Sequence, residues 1–195
     1  MIAFAGWLSP TRFIGLNAYV FAAACCGIAW VRGSGASRQS RLAASLMVLE
    51  AGLVLDMVFS IRWQVHDLLE AQAVRGNLYA QRAGPQLAAL GFLSVAAAAG
   101  MVLAFMRLRG RTGAIVASWG AILSLSCWCA EVISLHATDT ALYRTVDGIM
   151  IVSLWWLACS LMTGLGVLWD LHAARSHDCY CANPSPKPPS SITDT

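Results

Sequence analysis

The sequence predicts an all-α membrane bundle with about five transmembrane helices. Three observations predict it. Of 195 residues, 58% are hydrophobic and only 12% are charged, about half the charge of an ordinary soluble domain. Five runs reach the ~20 mostly apolar residues that a helix needs to cross a bilayer. The remaining charges gather between those runs. Helices are the expected spanning form, because lipid offers no partner to free backbone groups. The runs lack the alternation that a barrel strand would show.

The first span is expected over 10–31. Ser9 suits an N-cap and Pro10 the first helical turn. Ala22-Ala23-Ala24-Cys25 resembles a lipoprotein cleavage site only faintly: the usual Leu is missing and the apolar run continues to Val31. An uncleaved span is therefore expected. The second span covers 42–63, with room to continue beyond the membrane surface. Pro85 marks the start of the third, over 86–106. The fourth covers 113–134 and the fifth 148–169. Together they make a transmembrane domain over 1–174. The tail over 175–195 contains Asn183-Pro-Ser-Pro-Lys-Pro-Pro-Ser-Ser, a composition that builds no core and is expected to be disordered.

Basic residues set the expected orientation. The loops after the first and third spans hold Arg32, Arg38, Arg41 and Arg107, Arg109, Arg111 without an acid among them. The opposite loops dilute Arg75, Arg82 and Arg144 with Asp67, Glu70 and Asp139. The N-terminus is expected outside and the C-terminus in the cytoplasm, with a bacterial inner membrane as the expected location. A net charge of +3 spread over short clusters excludes nucleic acid as a partner. The expected partners are the bilayer itself and either a second copy or a larger membrane complex.

Seven cysteines do not read as a disulfide framework. Cys25, Cys26, Cys127, Cys129 and Cys159 lie inside apolar runs, where Cys acts as a small hydrophobe. Cys127 and Cys129 stand two apart on a helix and point to different faces. His177, Asp178, Cys179 and Cys181 form a short run of soft and hard ligands, expected as reduced thiols in a mobile tail. Ala96, Gly100 and Ala104 keep the small-xxx-small spacing that permits close helix approach. Trp7, Trp30, Trp63 and Trp169 fall near span ends, as an interfacial belt requires. Trp155 and Trp156 lie deep in the fifth span, as packing or as a pocket lining.

Ionisable groups at membrane depth are the default functional candidates, because each is costly there. Glu50 lies nine residues beyond Arg41; at ~1.5 Å per residue it sits about 13–14 Å deep, near the midplane of a ~30 Å core. Asp56 follows toward the outer boundary, about 120° around the helix from Glu50, so the two make no catalytic pair. Arg62, His66 and Glu70 follow an i, i+4, i+8 pattern and form one stripe if the second helix continues outward. The fourth span ends with Glu131, then His136 and Asp139. Two spans thus bring histidine and carboxylate to one membrane edge. Asp56, Arg62, His66, Asp67 and Glu70 from one span and Glu131, His136 and Asp139 from the other are the expected members of a shared site, if the two helices are neighbours, suited to acid/base work or a divalent metal. The spacing matches no named signature, and it names no cofactor.

Three functions remain open. One is an outward-facing polar site handling a lipid, isoprenoid or quinone-like molecule. Another is an oligomeric small-solute or proton-coupled transporter, which the midplane Glu50 favours. The third is an accessory or assembly subunit of a larger membrane complex, which small size and absent motifs favour.

Overall fold

The computed structural model describes residues 9–33, 37–76, 81–133, 140–146 and 148–182, the last six by backbone alone. The chain is an all-α bundle, and five of its helices are long and apolar enough to cross a membrane. Helix α1 covers Pro10–Arg32. The Ser9 hydroxyl accepts the Arg12 backbone N–H at 3.4 Å and so caps the helix, as expected. Helix α2 covers Arg38–Phe59, with Ser37 accepting the Ser40 N–H at 3.1 Å. Helices α3 (Ile61–Arg75), α4 (Ala83–Arg107) and α5 (Thr112–Ile133) follow. Strands β1 (Thr145–Val146) and β2 (Ile149–Met150) form a small antiparallel hairpin. Gly148 turns it at φ 81°, a conformation that costs glycine little. Helix α6 covers Ile151–Ala182.

Two boundaries differ from the sequence reading for a physical reason. The second span does not run on past Phe59. Ser60 adopts the left-handed conformation, φ 56° and ψ 40°, and α3 starts afresh. The Asp56 side chain makes the break possible: it accepts the backbone N–H of Arg62 at 2.7 Å, a donor that the preceding turn would have taken in an unbroken helix. The fifth span starts at Ile151, not 148, because the hairpin uses the residues before it. Its helix also passes the expected end and carries residues 170–182. The remaining tail, 183–195, lies outside the described residues.

Helix α6 packs between α1 and α5, α2 packs on α1, and α4 rests on α5. The closest approach is between α5 and α6, where three glycines clear the way. A Cβ on Gly113 would stand 2.5 Å from the Asp170 nitrogen, one on Gly120 2.6 Å from the Cys159 carbonyl oxygen, and one on Gly166 2.6 Å from the Ala117 nitrogen. Backbone meets backbone here, the usual way membrane helices gain packing without a hydrophobic drive. The expected small-residue seam on α4 is looser. A Cβ on Gly100 would meet only the Ile122 side chain at 3.5 Å, and no residue of α4 is buried. Instead α4 is tied to α5 by hydrogen bonds. The Trp119 indole donates to the Met101 carbonyl at 2.9 Å and the Gln86 amide to the Ile133 carbonyl at 3.0 Å.

The two ends of the bundle differ. At one end Arg38 donates to the Arg107 carbonyl at 3.0 Å, so the two basic loops lie side by side. There too Arg111 donates to Asp170 from Nε at 3.2 Å and again from its terminal nitrogen. The other end gathers the start of α1, the α2–α3 break, the end of α5 and the start of α6 around Arg62.

Candidate functional site

Arg62 is the centre of that end. It is the second residue of α3, only 6% exposed, and it turns inward because Ser60 redirects the chain. Its Nε donates to Asp56 Oδ2 at 2.7 Å, and its Nη1 donates to Glu131 Oε2. Asp56 therefore holds Arg62 twice, by backbone and by side chain. The guanidinium also lies over the Trp156 ring, 4.8 Å from its centroid, a cation–π contact strengthened by exclusion of water.

Burial alone would favour a neutral Arg62. The charges of Glu131 and Asp56 outweigh it, so the guanidinium pKa lies above the ordinary arginine value. Arg62 is a fixed cation.

Glu131 is equally well held. Its Oε1 accepts from the Trp156 indole at 3.1 Å and from the Cys127 thiol at 3.5 Å. Indole N–H and guanidinium can only donate, so this carboxyl acts as an acceptor. Tyr19 closes the group from α1, its ring centroid 6.4 Å from that of Trp156. Thus α1, α2, α3, α5 and α6 all meet here.

A cavity of about 340 Å³ opens against this cluster. Arg62, Glu131 and Trp156 line its inner part, and Trp63 and Tyr143 stack beside one another at 6.1 Å on its wall. Arg12 lines it from α1 and is half-buried; its guanidinium meets the Ser60 hydroxyl. Among the described residues no carboxylate pairs with Arg12. The cavity thus combines aromatic walls with two cations, one neutralised by acids and one that no acid among the described residues neutralises.

The structure brings three expected site residues together, Asp56, Arg62 and Glu131, and separates two. His66 lies one turn along α3, but its Nδ1 meets the Val132 carbonyl at 3.2 Å. A carbonyl only accepts, so Nδ1 carries the hydrogen. Nε2 turns to Glu70, 3.9 Å away. The expected spacing of Arg62, His66 and Glu70 is kept, because all three stand on α3, but their surroundings differ: Arg62 meets Asp56 and Glu131 inside the bundle, while His66 and Glu70 face a second, largely apolar cavity of about 310 Å³ between α3, α4 and α5. Glu50 stands far down α2, outside both cavities. His136 and Asp139 lie outside the described residues.

His66, Asp67 and Glu70 place one possible ligand atom each within 4.8 Å of one another. Arg82 lies 4.0 Å from the Glu70 carboxylate, where it competes with any metal ion for that ligand. Trp156 and Asp170 were not separable from packing or loop residues by spacing alone. The one available signal was their type: an indole or an acid inside an apolar run must find a polar partner.

No protein-family model, no curated protein and no solved structure matches this chain.

Proposed function

We propose that the protein is a membrane-embedded binding protein for an amphipathic molecule of the lipid, isoprenoid or quinone-like class, held at the non-cytoplasmic edge of a bacterial inner membrane. The observation that carries the reading is the cavity over Arg62. Its volume, about 340 Å³, lies at the small end of ligand pockets and suits a ring or a head group, with any chain left in lipid. Arg12, which pairs with no carboxylate among the described residues, supplies a cation for an oxygen-bearing head. Trp63, Tyr143 and Trp156 supply flat apolar faces. The Arg62 cluster supplies a rigid floor, because each of its charged groups is already hydrogen-bonded. The orientation is supported by the two basic loops at the opposite end, which the positive-inside tendency assigns to the cytoplasm.

Organic extraction of the protein purified in mild detergent tests this. Mass spectrometry of the extract is expected to find one amphipathic species enriched over the bulk membrane in wild type and depleted in Arg12→Glu. Lipids in bulk proportion, identical in both proteins, contradict the reading.

One observation favours a second reading, an accessory subunit. Helix α4 fully buries none of its residues within this chain, which leaves the face turned away from α5 open to another membrane protein. That reading expects a partner that co-purifies in fixed ratio and is lost when Phe92 and Val95, both exposed on α4, are replaced by Trp.

A further inference from the structure

Glu50 is completely buried in α2, and among the described residues neither carboxyl oxygen accepts a hydrogen bond. No arginine pairs with it among the described residues. Arg62 is held by Asp56 and Glu131, and Arg111 by Asp170. The groups around Glu50 come from three other helices. Thr163 of α6 stands against it, and Cys26 and Tyr19 of α1 and Cys159 of α6 lie within reach of its charge. Ser124 of α5 stands beside Cys159; it too is fully buried, and among the described residues its hydroxyl has no hydrogen-bond partner.

Thr163 decides the chemistry. Its one hydroxyl proton goes to the Cys159 carbonyl, 3.1 Å away. Toward Glu50 it therefore offers lone pairs only. A bare carboxylate here would be an isolated charge beside an acceptor, which is costly at this depth. A protonated carboxyl has a hydrogen to give.

The two directions along the bundle are unequal. Toward Arg111, the α5–α6 seam is closed by direct backbone contact at Gly113, Ala117, Gly120 and Gly166. Toward Arg62, Ser124, Cys127 and Glu131 follow an i, i+3, i+7 pattern on one buried face of α5. Cys127 already donates to Glu131 at 3.5 Å.

We propose that Glu50 is a proton-binding site deep in the bundle, donating its carboxyl hydrogen to Thr163 Oγ1 and exchanging it through the Glu131 end of the bundle, the end that the α5–α6 seam leaves open. The site stands independently of any ligand over Arg62.

Two measurements on the full chain in lipid nanodiscs test it. Dicyclohexylcarbodiimide adds a protonated carboxyl across its C=N bond and leaves an N-acylurea that peptide mass mapping locates. Wild type is expected to carry the adduct on Glu50; an unmodified Glu50 overturns the proposal. Infrared spectra are expected to show a protonated-carboxyl C=O band that shifts on transfer to D2O and is missing in Glu50→Gln. If that variant does not fold, isotope-labelled glutamate in wild type makes the assignment, since the chain has only Glu50, Glu70 and Glu131. In Asp170→Asn, at the closed end of the seam, the D2O shift is expected at the wild-type rate. No protonated-carboxyl band in wild type, or a D2O shift in Asp170→Asn slower than in wild type, overturns the proposal.

Discussion

Arg62 and Glu131 stand 69 residues apart in the chain, yet their side chains form a buried ion pair that fastens α3 to α5. Asp56 shares the same guanidinium from α2. Because two acids meet around one cation, the cost of a substitution depends on which charge is removed. Arg62→Met leaves two carboxylates buried without a counter-ion, and a loss of about 3–5 kcal/mol is expected. Glu131→Gln leaves Arg62 paired with Asp56 and is expected to cost clearly less. The triple variant Asp56→Asn, Arg62→Met, Glu131→Gln removes every charge and is expected to regain part of the stability lost by Arg62→Met alone. Equilibrium unfolding in mixed micelles ranks the three. Equal losses in all of them would show that the residues act by shape and not by charge.

Ser60 makes the cluster possible by turning the chain at φ 56°. A β-branched side chain is poorly tolerated there, so Ser60→Val is expected to destabilise by at least about 1–2 kcal/mol. Ser60→Gly relieves the backbone and loses only the contact with Arg12. Thermal unfolding of both variants checks the sign: a valine variant as stable as the glycine variant would mean that the break at Ser60 is not left-handed.

The α5–α6 seam predicts a sharp contrast between glycines. Gly166→Ala and Gly120→Ala place a methyl group within 2.6 Å of backbone atoms, and such overpacking is expected to cost about 1–3 kcal/mol or more. Gly52→Ala meets nothing within 4 Å and is expected to be neutral or slightly favourable in a helix. Yield of folded protein and unfolding midpoint in detergent separate the two groups.

The five spans were legible because hydropathy and run length are properties of consecutive residues. So was the Ser9 cap, since hydroxyl, proline and apolar run are adjacent. The break at Ser60 was hidden. Serine carries no left-handed signature of the kind glycine does, and the reason for the break is a side chain four positions earlier. Arg62, His66 and Glu70 all follow the break on α3, so their helical spacing survives it. What the break changes is where that helix aims: Arg62 meets the bundle and His66 the Val132 carbonyl. Glu131 was visible as an acid at a span end. Its partnership with Trp156 and Cys127 was not, because helical periodicity says which face a residue shares and not which helix that face meets. For the same reason the tight seam appeared on α4, where Gly100 fits the spacing, and not between α5 and α6, where Gly113, Gly120 and Gly166 make it.

Binding of an amphipathic molecule against aromatic walls is the function proposed for the cavity over Arg62. Trp63 and Trp156 line that cavity, so titrating the protein in nanodiscs with a short-chain benzoquinone, an acceptor that quenches indole fluorescence, tests it most directly. A saturable phase of quenching is expected in wild type. It should disappear in Trp63→Phe combined with Trp156→Phe, and in Arg12→Gln its midpoint should move up roughly tenfold, a loss of about 1.4 kcal/mol. Quenching that rises without saturation, identically in all three proteins, would mean that the quinone merely dissolves in lipid and that the cavity binds nothing of this class.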